Sequence, residues 1–196
     1  MCFAEDYNSS LNALIDSSGN ERHGYVTAGT ITRDALPSYG ANNAITYLQG
    51  TSATKIQFAV NSLPANFTIA SITANNVNFA HAHLQGQAGV AFYNFYTTNV
   101  SGNVPPETNW CLAIGKTEVR ATNYGRNFRS NGQDRATIDG GWNGGGRLTI
   151  NDALNPAAIP PSDFAISCII VWDKHISDTD ILHIETAFNN YLNSGL

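Results

Sequence analysis

The chain has 196 residues, 42% of them hydrophobic and 13% charged, enough for one substantial core and too few for two ordinary domains and a linker. Residues 1–196 are therefore read as one domain, and the low charge, offset by abundant Asn, Ser, Thr and Gly, disfavours a helix-rich cytosolic protein. Ten Lys plus Arg against 15 Asp plus Glu give a net charge of -5, which supplies no global positive field for a polyanion and argues against nucleic-acid binding.

Short β-branched and aromatic runs separated by turn residues predict an all-β protein of two packed sheets. The turn Asp16-Ser17-Ser18-Gly19-Asn20 precedes strands expected at 25–31, 44–48 and 55–60. After the turn Leu63-Pro64-Ala65-Asn66, strands are expected at 67–73, 90–96, 111–114, 117–122, 134–138 and 147–150. Asn131-Gly132 is the sharpest turn, because both residues accept the positive φ that a type I′ hairpin requires. The last strand, 166–172, is apolar at nearly every position and needs cover on both faces. A helix over 178–192 supplies it, with Ile181, Ile184 or Glu185, Phe188 and Tyr191 or Leu192 recurring at helical spacing. Ser177 and Asp180 fit a capping box, with Asp in place of the usual Glu or Gln, and acids in the first turn suit the helix dipole.

No apolar run approaches the roughly 20 residues of a membrane-spanning helix, so membrane insertion is not expected. The opening Met1-Cys2-Phe3-Ala4-Glu5-Asp6 lacks the basic and apolar regions of a signal peptide. Three cysteines make no disulfide framework. Cys111 and Cys168 lie in apolar strand-like runs where buried thiols are common; a bridge between them turns on a Cα separation that sequence leaves open.

Two segments resemble the concanavalin A-like jelly roll in its laminin G-like form. The first is Asp16-Ser17-Ser18-Gly19-Asn20-Glu21-Arg22-His23-Gly24, similar to the turn that opens such domains. The second runs from Arg147-Leu148-Thr149-Ile150-Asn151 to Ile166-Ser167-Cys168-Ile169-Ile170-Val171-Trp172-Asp173 and the Ser177-Asp178 helix start, similar to the family's closing sequence. The resemblance implies a two-sheet antiparallel jelly-roll sandwich with one C-terminal α-helix. It implies glycan or protein recognition on cell, matrix or virus surfaces, but no particular activity.

Glycoside hydrolysis needs two carboxyl groups across one cleft, and the Glu-x-Asp-x-x-Glu strand of jelly-roll glycanases is missing here. Glu5-Asp6 and Asp178-x-Asp180 are the close acidic pairs, one near a chain end and the other at a helix cap. The Arg-rich, Gln-x-His and Tyr-bearing strands by which polysaccharide lyases of this fold resemble one another are also missing, so no enzyme is expected. His81-x-His83 would place two imidazoles on one strand face, two short of a full metal shell, and no metal is assigned. Calcium has no motif, although Asp139, Asn143, Asn151 and Asp152 carry suitable oxygens; no cofactor is expected.

Five of the seven arginines fall in one stretch: Arg120, Arg126, Arg129, Arg135 and Arg147, interleaved with Tyr124, Phe128 and Trp142. Guanidinium groups clamp carboxylate or sulfate, and an aromatic face stacks on a sugar ring. Arg120, Tyr124, Arg126, Arg129, Arg135, Trp142 and Asn143 are thus the candidate ligand-binding residues. In the plainer alternative the arginines line exposed strands and pair with Glu118, Asp134 and Asp139 while the aromatics pack inward. The glycine-rich 140–146 segment is either a glycan-contacting loop around Trp142 or a wide connection. Three sequons, at Asn8, Asn66 and Asn99, agree with an external location.

The sequence is read as a non-catalytic carbohydrate-binding or attachment module, extracellular, at a cell surface or on a virion. It would recognise an acidic glycan or a cell-surface or capsid protein, as a piece of a larger polypeptide or a homo-oligomer. A structural or assembly module and a divergent glycan-cleaving enzyme are the alternatives.

Overall fold

A computed structural model describes residues 1–37, 39–74, 84–88, 91–95, 109–116, 128–134, 146–152 and 163–194. Their strands are β1 (Cys2–Phe3), β2 (Tyr7–Asn8), β3 (Ala13–Leu14), β4 (Gly24–Ala28), β5 (Ile31–Leu36), β6 (Ile45–Gly50), β7 (Lys55–Phe58) and β8 (Thr68–Ala74). The later ones are β9 (Leu84–Ala88), β10 (Ala91–Phe95), β11 (Cys111–Lys116), β12 (Phe128–Ser130), β13 (Gln133–Asp134), β14 (Arg147–Ile150) and β15 (Phe164–Trp172), before helix α1 (Asp178–Ser194). The first sheet runs β13-β12-β11-β8-β15-β6-β5, with β1 also on β15; the second runs β10-β9-β14-β7-β4-β3-β2. Every described pairing is antiparallel. The predicted two-sheet sandwich with a C-terminal helix is the architecture found.

Alternation along the strands divides two cores. Between the sheets lie Leu48, Ile69, Phe164, Ile166 and Ile169 from the first sheet and Leu14, Ile56, Phe58, Leu148 and Ile150 from the second. The opposite face of the first sheet presents Tyr47, Ile72, Leu112, Ile114, Ala165 and Cys168 to Ile176, Ile181 and Phe188 of α1 and its lead-in. α1 is therefore the cover that β15 required. Its start is held by Ser177, whose hydroxyl accepts from the Asp180 N–H at 3.1 Å and donates to the Asp180 carboxylate at 2.7 Å. The cap partners are those expected, but the acid reaches the Ser177 hydroxyl rather than its N–H.

β15 packs on both cores and holds one extra residue. Its register on β8 shifts between Ile166 and Cys168, so Ser167 is a bulge, and the period-two alternation changes phase there. Ile166 and Ile169 both face the second sheet, and Cys168 faces α1. The Ser167 hydroxyl is buried and donates to the Thr46 carbonyl at 3.0 Å.

The opening turn is built around Asp16. Its carboxylate accepts from the N–H groups of Ser18 and Arg22, each at 3.0 Å, from the Ser18 hydroxyl at 2.8 Å and from the Met1 ammonium at 2.7 Å. The Asp16 N–H in turn donates to His23 Nδ1 at 3.0 Å. Gly24 follows because a Cβ there would lie 2.8 Å from the Phe58 ring. The Asn131-Gly132 turn has φ of 48° and 76° and joins β12 to β13, as its sequence predicts.

None of the three cysteines is in a disulfide, and all are buried. Cys111 and Cys168 lie on strands flanking β8, about 9.5 Å apart by strand spacing, beyond disulfide reach. Burial pushes the Cys2 and Cys168 thiols up to about 12, leaving little thiolate at neutral pH.

Candidate functional site on the second sheet

With α1 covering the first sheet, the outward face of the second carries the polar chemistry. Ile56 and Phe58 point into the intersheet core, so alternation turns Lys55 and Gln57 outward. Leu148 and Ile150 do the same for Arg147 and Thr149, of which Thr149 is fully covered and Arg147 half-buried. The register sets Tyr25 opposite Gln57 and Gln57 opposite Thr149, making one row across β4, β7 and β14. Arg147 lies diagonal to Gln57, within side-chain reach.

These side chains are wired together. Arg147 Nη1 donates to Gln57 Oε1 at 2.8 Å, Gln57 Nε2 donates to the Asp152 carboxylate, and Lys55 Nζ meets Asp152 Oδ1 at 3.0 Å. The Gln57 amide is thereby fixed, its oxygen toward the guanidinium and its nitrogen toward the carboxylate. Lys55 pairs with the Asp152 carboxylate directly and Arg147 is linked to it only through Gln57, so among the described residues the cluster carries one excess positive charge. Arg147 spends one donor on Gln57 and has others to offer. Tyr25 is 48% exposed and edge-on to His23, with ring centroids 6.3 Å apart. Tyr25 and Arg147 stand roughly 10 Å apart across two strand spacings. An exposed ring beside a positioned amide and guanidinium can stack on a sugar face and hydrogen-bond its hydroxyl or carboxylate groups.

Of the seven candidates read from sequence, Arg129 alone is described; Arg120, Tyr124, Arg126, Arg135, Trp142 and Asn143 lie outside the described residues. Arg129 sits on β12 of the first sheet and turns to α1. Its Nε and Nη2 donate to the two Glu185 oxygens at 2.9 and 3.0 Å, and Nη2 also reaches the Gly132 carbonyl at 2.8 Å. Glu185 is a partner from outside the stretch that contains Arg129. Arg147, from the same stretch, is on the other sheet, so these two arginines do not converge.

Tyr25, Lys55 and Gln57 escaped the sequence reading, and Asp152 was considered only as a calcium ligand. The signal was present in Lys55-Ile56-Gln57-Phe58 and Arg147-Leu148-Thr149-Ile150, whose alternation sets polar residues on the face opposite the core. Asn151 is 3% exposed and Asp152 is committed to Lys55 and Gln57; Asp139, His81 and His83 lie outside the described residues. Among the described residues no group of three His, Cys, Asp or Glu side chains could hold a metal ion, and no helix is long and apolar enough to cross a membrane. Burial and then the neighbouring Lys116 hold His175 below its ordinary pKa, neutral at pH 7. Asn8 and Asn66 are exposed; Asn99 lies outside the described residues.

No family model and no curated protein matches the sequence. Solved structures do match in fold. Domain 4 of the GH43 extracellular arabinanase AbnA from Geobacillus stearothermophilus, in complex with arabinotriose, superposes with a TM-score of 0.63 at 12% identity over 91% of this chain and 96% of that one. The binding domain of botulinum neurotoxin DC in complex with rat synaptotagmin II gives 0.57 at 16% identity over 93% of this chain and 50% of that one. The same neurotoxin's binding domain in complex with SialylT gives 0.53 at 14% identity, over 90% and 48%. The chain has the sandwich fold of these domains. It matches the arabinanase domain over nearly its whole length and spans about half of the neurotoxin binding domains.

Proposed function

We propose that the chain is a non-catalytic carbohydrate-binding or attachment module of a surface or virion protein, a laminin G-like member of the concanavalin A-like sandwiches. Its ligand is an acidic glycan bound across the outward face of the second sheet. The observation that carries this reading is Tyr25 and Gln57 side by side with Arg147 next to them, an exposed ring and a guanidinium with donors to spare, one positive charge in excess. The fold neighbours agree in kind, since one is described with arabinotriose and another with SialylT.

The test is retention on immobilised sialylated or uronate-bearing oligosaccharides, with neutral arabino-oligosaccharides as the control. Wild type is expected to prefer the acidic sugars. Arg147→Gln is expected to lose about tenfold, the value of a charge-assisted hydrogen bond, and Tyr25→Ala several-fold, with unchanged melting temperatures. Absence of glycan binding by wild type, or full retention by both variants, would overturn the proposal. A protein-attachment reading draws on the neighbour complexed with synaptotagmin II; self-association measured by light scattering would favour an assembly role.

A further inference from the structure

On the opposite side of the molecule from the polar row, a cavity of about 470 Å³ opens between α1 and the first sheet. Ile72 and Cys168 form its floor, and Phe3, Phe188 and Tyr191 form its walls. The floor is apolar and almost wholly buried, so it offers water few partners, and an apolar space of this kind is poorly hydrated. Its size lies within the range of small-molecule sites, roughly 300–1,000 Å³. At its mouth stand Glu5 and Asp6.

Neither carboxylate has a cationic partner among the described residues. Glu5 Oε1 accepts a long contact from the Tyr191 hydroxyl at 3.4 Å, and the Asp6 carboxylate accepts from the Ser17 hydroxyl. Arg33 reaches the main-chain oxygen of Glu5 at 3.4 Å, not its carboxylate. The mouth is thus negative and the interior apolar, with aromatic rings between them. An anion would be repelled at the mouth, and a neutral sugar would lose its hydroxyl hydrogen bonds in the interior. A cation on an apolar stem meets all three features, with its head by the carboxylates and its stem along the partly exposed Phe3 and Tyr191.

We propose that this cavity binds a small amphiphile with an apolar body and an ammonium head. The site is independent of the glycan reading: it uses other residues on the other sheet.

The experiment is calorimetric titration of the full chain with n-hexyltrimethylammonium, hexanol and hexanoate, each kept below its aggregation concentration. The ammonium is expected to bind at least tenfold more tightly than the alcohol, and hexanoate more weakly than either. Glu5→Gln with Asp6→Asn should bring the ammonium down to the alcohol. Ala187→Trp, at the exposed edge of the cavity, should abolish binding of both. Headgroup-independent affinity, no binding of the ammonium to wild type, or full binding by a folded Ala187→Trp variant would overturn the proposal. The wild-type headgroup comparison decides even if a variant does not fold.

Discussion

Arg129 and Glu185 form a two-pronged ion pair that ties the β12–β13 hairpin to α1, with 12% and 8% of their side chains exposed. The pair is expressed through its asymmetry. Arg129→Ala leaves the Glu185 carboxylate buried without its cation, and is expected to cost about 3 to 5 kcal/mol in urea unfolding. The double variant Arg129→Met with Glu185→Leu removes both charges and should recover most of that loss. Equal destabilisation of the single and double variants would show that packing, not charge, holds the contact.

The Ser167 bulge yields a second expectation. Ser167→Ala removes two hydrogen bonds, to the Thr46 carbonyl at 3.0 Å and with the Tyr191 hydroxyl at 3.2 Å, and should cost about 1 to 3 kcal/mol, because the carbonyl is left without that donor. Deleting Ser167 removes the bulge itself. Ile166 and Cys168 already pair with the adjacent β8 residues Thr73 and Ile72, so the shortened strand alternates strictly with Ile166 and Ile169 still toward the second sheet and Cys168 still toward α1. The deletion variant is expected to keep a cooperative thermal transition in near-UV circular dichroism, whereas deleting Ile170 instead turns Val171 and Trp172 to the opposite faces and should lower the melting temperature much further.

These two elements show which parts of the fold the sequence carries. β8, β15 and α1 were legible because their faces are buried, so apolar content and periodicity had to agree. Boundaries shifted by a few residues; β15 starts at Phe164 rather than Ile166. β5 was missed because Ile-Thr-Arg-Asp-Ala-Leu is an edge strand on the first sheet, largely exposed, with two charges in its middle and no core face to impose alternation. β1, β2 and β3 are two residues each and exist only through partners distant in sequence. The polar row was hidden for the same reason: Gln57 and Asp152 are 95 residues apart and meet through the β7–β14 register, which no local pattern encodes.

Asp16 sets an acid limb on stability. Burial opposes its ionisation, but hydrogen bonds from the Met1 ammonium, the Ser18 hydroxyl and the Ser18 and Arg22 N–H groups outweigh it and hold the carboxyl well below the usual range. A depressed folded pKa means that the unfolded chain takes up the proton first. The contribution is therefore complete above the ordinary carboxylate value of about 4. It shrinks as pH falls below that value and is gone once pH passes under the folded one. Asp16→Asn should lower stability at pH 7 and flatten the slope between about pH 4 and pH 2. An unchanged slope in pH-dependent urea unfolding would place the acid limb on other carboxylates.

The arginine-rich stretch makes the remaining prediction. Residues 135–145 connect β13 on the first sheet to Gly146, whose N–H and carbonyl pair with Leu63 at 2.8 and 2.9 Å immediately before Arg147. The stretch thus ends at the outward guanidinium of the proposed glycan face. If Arg126 and Trp142 extend that face, Arg126→Ala should weaken retention on an acidic glycan by about tenfold or more, as expected for a lost charge-assisted contact. Trp142→Ala should weaken acidic and neutral sugars alike, since stacking ignores charge. In both variants the melting temperature should stay at the wild-type value. A drop in melting temperature with glycan retention intact would instead place Trp142 in packing and Arg126 in an ion pair of the kind that holds Arg129. Combining Arg126→Ala with Arg147→Gln then separates one surface from two, because contacts to a single anionic group couple and losses at independent subsites add.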